Sequence, residues 1–244
     1  LLSAPIGIAL GLATVLTLVR TSNIPLLMIA QNAFAALDSF PLMAIPFFIL
    51  AGSLMSHAGV SRRLLNLANT MVGFITGGLA MVTTLACMFF AAISGSGPAT
   101  VSAIGSFMIP AMREKNYDSG FAAAISAAAG TIGVIIPPSI PFVIYGVVTG
   151  VSVGEMFVVG FVPGILIGLG LMIASYVVAK REGYAGTGRR ATWGEFLHAL
   201  NDAKWALLVP VIILGGIYGG IFTPTEAAVI AVVYALVVGF FVHR

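Results

Sequence analysis

Residues 79–112 read LAMVTTLACMFFAAISGSGPATVSAIGSFMIPAM, an uncharged run interrupted once, by SGSGPAT at residues 94–100. Glycine and proline punctuate local structure, so this interruption predicts a turn between two helices. The helical pieces on either side, residues 79–93 and 99–112, would be about 22 and 21 Å long. Both are shorter than the roughly 30 Å hydrocarbon core of a bilayer. We therefore predict a re-entrant helical hairpin whose tip lies inside the membrane and whose arms return to the same side.

A second interruption, GTIGVIIPPSIP at residues 130–141, lies in the uncharged tract 119–154. Adjacent prolines remove two backbone donors and clash with the preceding turn, so a regular helix cannot continue through Pro137 and Pro138. We predict half-helices over 119–133 and 139–150, with an unwound segment at 134–138. The charges that flank the tract require one crossing, so the sequence predicts one broken transmembrane helix.

The composition excludes whole classes of protein. Of the 244 residues, 59% are hydrophobic and 8% are charged, and the mean hydropathy is +1.10. A soluble domain carries about 25% charged residues, so a soluble enzyme or a nucleic-acid-binding protein is excluded despite a pI near 9.3. The single cysteine, Cys87, allows neither a disulfide nor a cysteine-based metal site within the chain. The predicted fold class is an all-α polytopic membrane protein.

Five further uncharged tracts each have a length that suits one transmembrane helix. They cover residues 1–19, 39–61, 156–179, 205–225 and 227–243. Glycines spaced four apart are typical of closely packed membrane helices, and they occur at Gly7/Gly11, Gly160/Gly164/Gly168 and Gly215/Gly219. The first residues, LLSAP, contain no initiator Met and no basic segment. They indicate a chain that begins within a helix, so we expect a fragment.

Positive charges set the orientation, because loops rich in Lys and Arg stay in the cytoplasm. The residues placed at the inner side are Arg62, Arg63, Arg113, Lys115, Lys180, Arg181, Arg189 and Arg190. The acidic residues Asp38, Glu155 and Glu226 fall at the outer side, as does Arg20, which violates the rule. The polar segment 180–204 is then predicted to be a cytoplasmic loop that ends in a short amphipathic interfacial helix.

Each interruption exposes helix ends at bilayer depth, where unwound backbone is tolerated only against protein or a polar cavity. Carbonyls at helix C-termini favour a cation, and amides at helix N-termini favour an anion. The hydroxyls of Ser94, Ser96, Thr100 and Ser139 add neutral oxygen ligands of the kind that suit Na⁺. Counting helical rise from the inner flank places both breaks about 21 Å deep, so a shared site is geometrically possible. Either break alone could be a packing feature, but two together are typical of secondary transporters.

Several motifs resemble one known family. They include GSLM at 52–55, ISGSGPAT at 93–100, TIGVIIPPS at 131–139 and TPTEA at 223–227. Together they resemble the large membrane subunit of tripartite ATP-independent periplasmic (TRAP) transporters, the DctM-like family. The resemblance covers essentially the whole chain, which would be the N-terminal half to two-thirds of such a subunit. It implies an elevator-type transporter of inverted repeats, of which this chain would hold the half with one re-entrant helical hairpin and one broken transmembrane helix.

The resemblance also implies a function. Members of this family import organic acids, such as C4-dicarboxylates, other carboxylates or sialic acid, by Na⁺-coupled symport across the bacterial inner membrane. A small TRAP membrane subunit and a periplasmic substrate-binding protein complete the system. We therefore expect these two partners, an organic-acid substrate and membrane lipid, and no nucleic acid. We expect no cofactor besides Na⁺ as the coupling ion.

The same resemblance carries a Na⁺ site onto the hairpin tip and the broken helix. The residues expected to hold the ion are Ser94, Gly95, Ser96, Gly97, Gly133, Ile135 and Pro137. The residues expected to meet an anionic substrate, at the helix N-termini on the other side of the ion, are Pro98, Ala99, Thr100, Pro138 and Ser139.

The predicted organisation has three parts. Residues 1–75 form scaffold and arm helices, and residues 76–150 form half of a transport domain. That half contains the hairpin at 79–112 and the broken helix at 119–150. Residues 151–244 add further transmembrane helices and the cytoplasmic loop 180–204.

The residues leave other functions open. Another Na⁺/anion symporter or a channel could also use a re-entrant loop. An intramembrane serine enzyme is not expected, because Ala92 replaces the first Gly of a Gly-x-Ser-Gly site around Ser94. The three histidines, moreover, lie at span ends or in the polar loop. Glu226, which follows Pro224 closely, is interpreted as a carboxylate favoured by the helix dipole rather than as a substrate ligand.

Overall fold

A computed structural model describes residues 5–21 and 25–242. All regular secondary structure in these residues is helical, as the composition predicts. The chain divides between Phe40 and Pro41 into two compact units.

The first unit contains two apolar helices, α1 (Ile6–Thr21) and α2 (Leu26–Leu37), which contact each other. The first of these covers most of the span predicted at 1–19. The second has no counterpart among the predicted spans. The uncharged stretch between Arg20 and Asp38 is rich in Leu and Ala, and these residues are strong helix formers. The sequence therefore contained the signal for this helix.

The second unit is a helical bundle. Its helices are α3 (Ala44–His57), α4 (Val60–Val72), α5 (Gly78–Ser94), α6 (Gly97–Glu114), α7 (Ser119–Gly130), α8 (Ile140–Thr149), α9 (Val153–Glu182), α10 (Trp193–Tyr218) and α11 (Pro224–Val237). Short 3₁₀ turns at Phe40–Met43 and Thr131–Val134 lengthen α3 and α7, and a π-helical turn at Val238–Val242 continues α11.

Four helical segments of the described chain are long and apolar enough to cross a membrane. They are Phe40–His57, Val153–Glu182, Trp193–Tyr218 and Pro224–Val242. The outward-facing side chains in the middle of α9 are apolar. Val159 and Leu166 are 70% and 62% exposed, and burying exposed apolar surface of this kind in a bilayer removes it from water. The helices therefore confirm the prediction of a multi-pass membrane protein.

Both interrupted elements occur close to their predicted bounds. Helices α5 and α6, of 17 and 18 residues, pack on each other and are joined by Gly95 and Ser96 alone. The broken element consists of α7, its 3₁₀ turn and α8, and the segment between Ile135 and Ser139 is unwound. That the hairpin tip lies inside the membrane stays a prediction.

Helix α10 corrects the prediction for residues 180–225. The loop predicted at 180–204 is confined to 183–192, because α9 runs to Glu182 and α10 begins at Trp193. The amphipathic helix and the span predicted separately form one helix, which ends at Tyr218 rather than at 225. A capping box fixes its start: Thr192 accepts the N–H of Glu195 at 3.3 Å, and the Glu195 carboxylate accepts the N–H of Thr192 at 2.7 Å.

The start of α11 follows the same pattern. Thr223 accepts the N–H of Glu226 at 3.3 Å, and the Glu226 carboxylate accepts the N–H of Thr223 at 2.8 Å. Glu226 therefore belongs to a capping box. This confirms its interpretation as a carboxylate of the first helical turn.

Within the described part of the second unit, one of the two glycine series packs closely against a neighbouring segment. In α9, a Cβ added at Gly160 would lie 2.7 Å from the Ile135 carbonyl oxygen, and one at Gly164 would lie 2.5 Å from the Ile136 side chain. These glycines thus let α9 approach the unwound segment of the broken helix. At Gly215, by contrast, an added Cβ would meet no described atom within 4 Å.

The base of the hairpin is held by the loop that follows α9. The Tyr184 carbonyl accepts the N–H of Gly77, and its hydroxyl accepts the N–H of Asp118, both at 3.0 Å. Its ring also stacks on that of Tyr117, with centroids 4.2 Å apart. The two ends of the hairpin are therefore joined to the same residue. This supports the prediction that both arms return to one side.

The orientation of the hairpin can be tested with single cysteines. We expect Lys115→Cys to react with a membrane-impermeant maleimide only from the cytoplasmic side, because both arms return there. The matched control is Ser152→Cys, which follows the broken helix and should react only from the opposite side. Both positions are exposed, and the native Cys87 is buried. The measurement is labelling in right-side-out and inside-out vesicles, and reaction of Lys115→Cys from the periplasmic side would contradict the hairpin.

Candidate functional site: where the two helix breaks meet

The hairpin tip is a tight turn fixed by two adjacent residues. Gly95 ends α5 with a φ of 62°, a left-handed conformation that glycine adopts without a Cβ penalty. Ser96 then begins α6 as its N-cap, and its hydroxyl accepts the N–H of Ala99 at 3.4 Å. Pro98 lies in the first turn of α6, where a missing N–H costs nothing. The SGSGP sequence thus ends one helix and starts the next, and only Gly95 and Ser96 lie between them.

Three oxygens converge just inside this turn. The Ser94 hydroxyl lies 3.1 Å from the Thr100 hydroxyl, which donates to the Ser96 carbonyl at 2.8 Å. The Ser94 hydroxyl also lies 3.4 Å from that carbonyl. Ser94 and Thr100 are 1% and 0% exposed. We call Ser94 Oγ, Thr100 Oγ1 and the Ser96 carbonyl oxygen the tip oxygen cluster.

In the broken helix, a serine organises the unwound segment. Ser139 is the N-cap of α8, and its hydroxyl accepts the N–H of Phe142 at 3.4 Å. The same hydroxyl donates to the Val134 carbonyl at 2.7 Å, across the unwound residues. The Pro137–Pro138 peptide is cis. Ser139 therefore satisfies backbone groups at both edges of the break.

The two breaks contact each other directly. The first N–H of α8, that of Ile140, donates to the Gly95 carbonyl at 3.2 Å. A Cβ added at Gly95 would lie 2.6 Å from the Pro138 carbonyl oxygen. One added at Gly133 would lie 2.6 Å from the Thr100 hydroxyl and 2.8 Å from the Ser96 carbonyl oxygen. Only glycine at positions 95 and 133 permits this approach. The hairpin tip and the break in the second element therefore lie side by side.

Most of the predicted site residues come together here. The residues at the contact are Ser94, Gly95, Ser96, Gly97, Thr100, Gly133 and Pro138. Pro98 and Ala99 lie beside it, exposed at the start of α6. Ile135 differs, because its carbonyl lies against Gly160 of α9. The Ser139 hydroxyl is engaged within its own break, and Pro137 is buried in the unwound segment.

Two glycines of this site were missed by the sequence analysis. A Cβ at Gly52 of α3 would lie 3.0 Å from the Ser94 Cα atom, and one at Gly130 of α7 would lie 2.0 Å from the Val101 side chain. Gly52 belongs to the GSLM motif, so its position was noted but not its contact. Both residues allow a neighbouring helix to approach the hairpin tip.

The site has a defined electrostatic character without any ionised side chain. The tip oxygen cluster consists of neutral oxygens. Ser94 lies at the C-terminal end of α5, where the helix dipole is negative, and the Ser96 carbonyl and Thr100 hydroxyl belong to the start of α6. The N-termini of α6 and α8, each capped by a serine, lie beside it and carry the positive ends of their dipoles. Such an arrangement can hold a hard cation on one side and an anion on the other.

The whole chain matches one protein family. The family model described as "Tripartite ATP-independent periplasmic transporter, DctM component" matches residues 1–244. The chain is 59% identical over 240 residues to the isethionate TRAP transporter permease protein DctMQ of Oleidesulfovibrio alaskensis, covering 98% of this chain and 38% of that protein.

Two further relatives carry other substrate names. The chain is 48% identical over 250 residues to the C4-dicarboxylate TRAP transporter large permease protein DctM of Vibrio cholerae, covering 100% of this chain and 54% of that protein. It is 39% identical over 243 residues to the sialic acid TRAP transporter permease protein SiaT of Haemophilus influenzae, covering 100% of this chain and 39% of that protein. The chain thus spans about half or less of the length of these relatives. Matched along its entire length, it belongs to the DctM family of TRAP transporter large permeases.

Proposed function

We propose that this chain forms the cation- and anion-binding hairpin and broken helix of a Na⁺-coupled secondary transporter that imports an organic acid across the bacterial inner membrane. The observation that carries the proposal is the hydrogen bond from Ile140 to Gly95, which joins the two breaks beside the tip oxygen cluster. Discontinuous helices that meet in this way are where secondary transporters bind ions and substrate. The hairpin and broken helix would move together in an elevator-type step.

The tip oxygen cluster provides candidate Na⁺ ligands. Hydroxyl groups rotate freely about the C–O bond, so Ser94 and Thr100 can turn their lone pairs toward an ion. The Ser96 carbonyl oxygen lies within 3.4 Å of both hydroxyls. The negative end of the α5 dipole offsets the positive charge. A hard cation prefers such oxygen ligands, and burial keeps water from competing for them.

The substrate side of the proposal rests on charge. Isethionate, C4-dicarboxylates and sialic acid, the compounds in the relatives' names, are all organic anions at neutral pH. The N-termini of α6 and α8 offer partial positive charge to such an anion. Ala99 is exposed at the first of these. An anion at this point would neutralise the bound Na⁺, so substrate binding would be coupled to the ion.

The partners follow from the family. The name DctMQ of one relative is consistent with a small membrane subunit accompanying the large permease. We propose that this chain works with such a subunit and with a periplasmic substrate-binding protein. The transport assays below therefore use the permease together with both.

Removing one hydroxyl of the tip oxygen cluster tests the cation site. Thr100→Val keeps the shape of the side chain and deletes one oxygen. We expect the Na⁺ concentration for half-maximal uptake to rise about tenfold, since losing one such oxygen costs roughly 1.4 kcal/mol. The control is Thr84→Val on α5, because Thr84 is equally buried and, among the described residues, its hydroxyl bonds only to the Ala80 carbonyl. An unchanged Na⁺ requirement in Thr100→Val would remove this residue from the site.

A steric change tests the contact between the breaks. In Gly133→Ala the new methyl group would overlap Thr100 Oγ1 and the Ser96 carbonyl oxygen, and overpacking of this kind costs about 1–3 kcal/mol. We expect weaker Na⁺ dependence and slower uptake. Gly170→Ala on α9 is the control, because a Cβ there meets no described atom within 4 Å. Equal Na⁺ titration curves for the two variants would show that the cation lies elsewhere.

A further inference from the structure

A second polar feature runs along the hairpin, away from the tip. Helices α3 and α6 border an open groove of about 450 Å³, with the buried ring of Phe90 as its floor. The groove begins at Ala99, beside the tip, and ends between His57 and Phe107. Ala99 and Ser106 are seven residues apart on α6, a distance of about 10 Å. We call this feature the serine groove, after the residues that line it.

Four serines line the groove from two helices. Ser53 and Ser56 belong to α3, and Ser102 and Ser106 belong to α6. In the part of the chain that the structure describes, no hydrogen-bond partner occurs for the hydroxyls of Ser53, Ser56 and Ser102. The Ser106 hydroxyl makes one long bond, of 3.4 Å, to a backbone carbonyl. These hydroxyls are open to the groove.

Other hydroxyls of the bundle behave differently. Thr84, Ser126 and Ser175 each donate to the carbonyl one turn earlier on the same helix, at 2.7–3.1 Å. That bond satisfies a hydroxyl inside an apolar bundle. The open serines of α3 belong to a segment apolar enough to span a membrane. A hydroxyl facing lipid there would lose its hydrogen bonds to water, which costs free energy. Water or a polar solute in the groove would supply the missing partners.

The far end of the groove is positively charged. The Arg62 guanidinium lies 5.5 Å from the centroid of the Phe107 ring, which lines the groove. Such a cation–π contact holds the charge at the rim. No Asp or Glu occurs among the described lining residues. A path with open hydroxyls, one cationic rim and no carboxylate favours an anion over a cation.

We propose that the serine groove is a water-filled path along which the organic anion moves between the start of α6 at Ala99 and the membrane side on which Arg62 lies. The inference rests on the proposed function for the identity of the anion. The path is separate from the tip oxygen cluster, whose three residues do not line the groove. Ser102 and Ser106 are the hydroxyls on its hairpin wall, and Ser53 and Ser56 are those on its α3 wall.

The test is the reactivity of single cysteines in the complete transporter, in inside-out vesicles. Ser102→Cys and Ser106→Cys are exposed to an anionic and a cationic methanethiosulfonate, which form a disulfide with the thiolate and release methanesulfinate. The control is Val159→Cys on the apolar face of α9, which is 70% exposed in the protein alone. Because only a hydrated thiol ionises readily, we expect both serine-site cysteines to react at least about tenfold faster than the control.

Charge selectivity provides a second readout. Relative to a free thiol, the groove cysteines should favour the anionic reagent by about tenfold. Arg62→Gln should reduce this preference, and an excess of the transported organic anion should slow labelling. Groove cysteines that react no faster than Val159→Cys would overturn the proposal, as would a preference for the cationic reagent.

Uptake by the same variants in right-side-out vesicles, with the binding protein outside, separates this inference from the proposed function. Labelling is measured by mass shift and does not require uptake. If Na⁺-dependent uptake is normal and the groove cysteines stay unreactive, the groove proposal alone is wrong. If the cysteines react as expected but uptake is independent of Na⁺, the coupling proposal is wrong and the water-filled path stands.

Discussion

The hydrogen bond from the Ile140 N–H to the Gly95 carbonyl, 3.2 Å long, joins two helix ends that an apolar bundle would otherwise leave unsatisfied. Each break leaves backbone donors and acceptors without their intrahelical partners. Bringing the C-terminal end of one helix to the N-terminal end of another satisfies both. The same contact forces the hairpin tip and the unwound segment into one place. The tip oxygen cluster, the glycines around it and the start of the serine groove all follow from that placement.

Glycine determines how close the segments come. Gly95 and Gly133 lie where a methyl group would overlap carbonyl or hydroxyl oxygens of the opposite break. Gly160 of α9 performs the same role for the Ile135 carbonyl. These residues carry no side chain that could bind a ligand. Their contribution is to let the backbone oxygens and hydroxyls of other residues lie within bonding distance of each other.

The sequence predicted the interrupted elements well because their signals are local. The Gly-Pro turn at residues 94–100 and the adjacent prolines Pro137 and Pro138 stop helices wherever they occur. Predicted arms at 79–93 and 99–112 became α5 and α6 with small extensions. Helical rise alone also placed the two breaks at similar depth.

Features that depend on distant parts of the chain were harder to predict. The contact of Gly52 with Ser94 joins residues 42 positions apart in sequence, which no local pattern reports. The continuity of α10 through residues 193–218 was missed because its charges were treated as boundaries. Exposed charges on one face are in fact compatible with a helix that begins in a capping box. The open hydroxyls of the serine groove could not be distinguished from packed ones without their surroundings.

The central claim is that the tip oxygen cluster binds the coupling cation. The most direct measurement is thermal unfolding of the purified transporter in Na⁺ and in K⁺ at equal ionic strength. Ligand that binds only the folded state stabilises it by roughly 2.7 kcal/mol at about 100 times its Kd. We expect Na⁺ to raise the Tm of the wild type, and the increment to shrink in a variant that carries Ser94→Ala and Thr100→Val together. An equal increment in both proteins, or none in the wild type, would contradict the account.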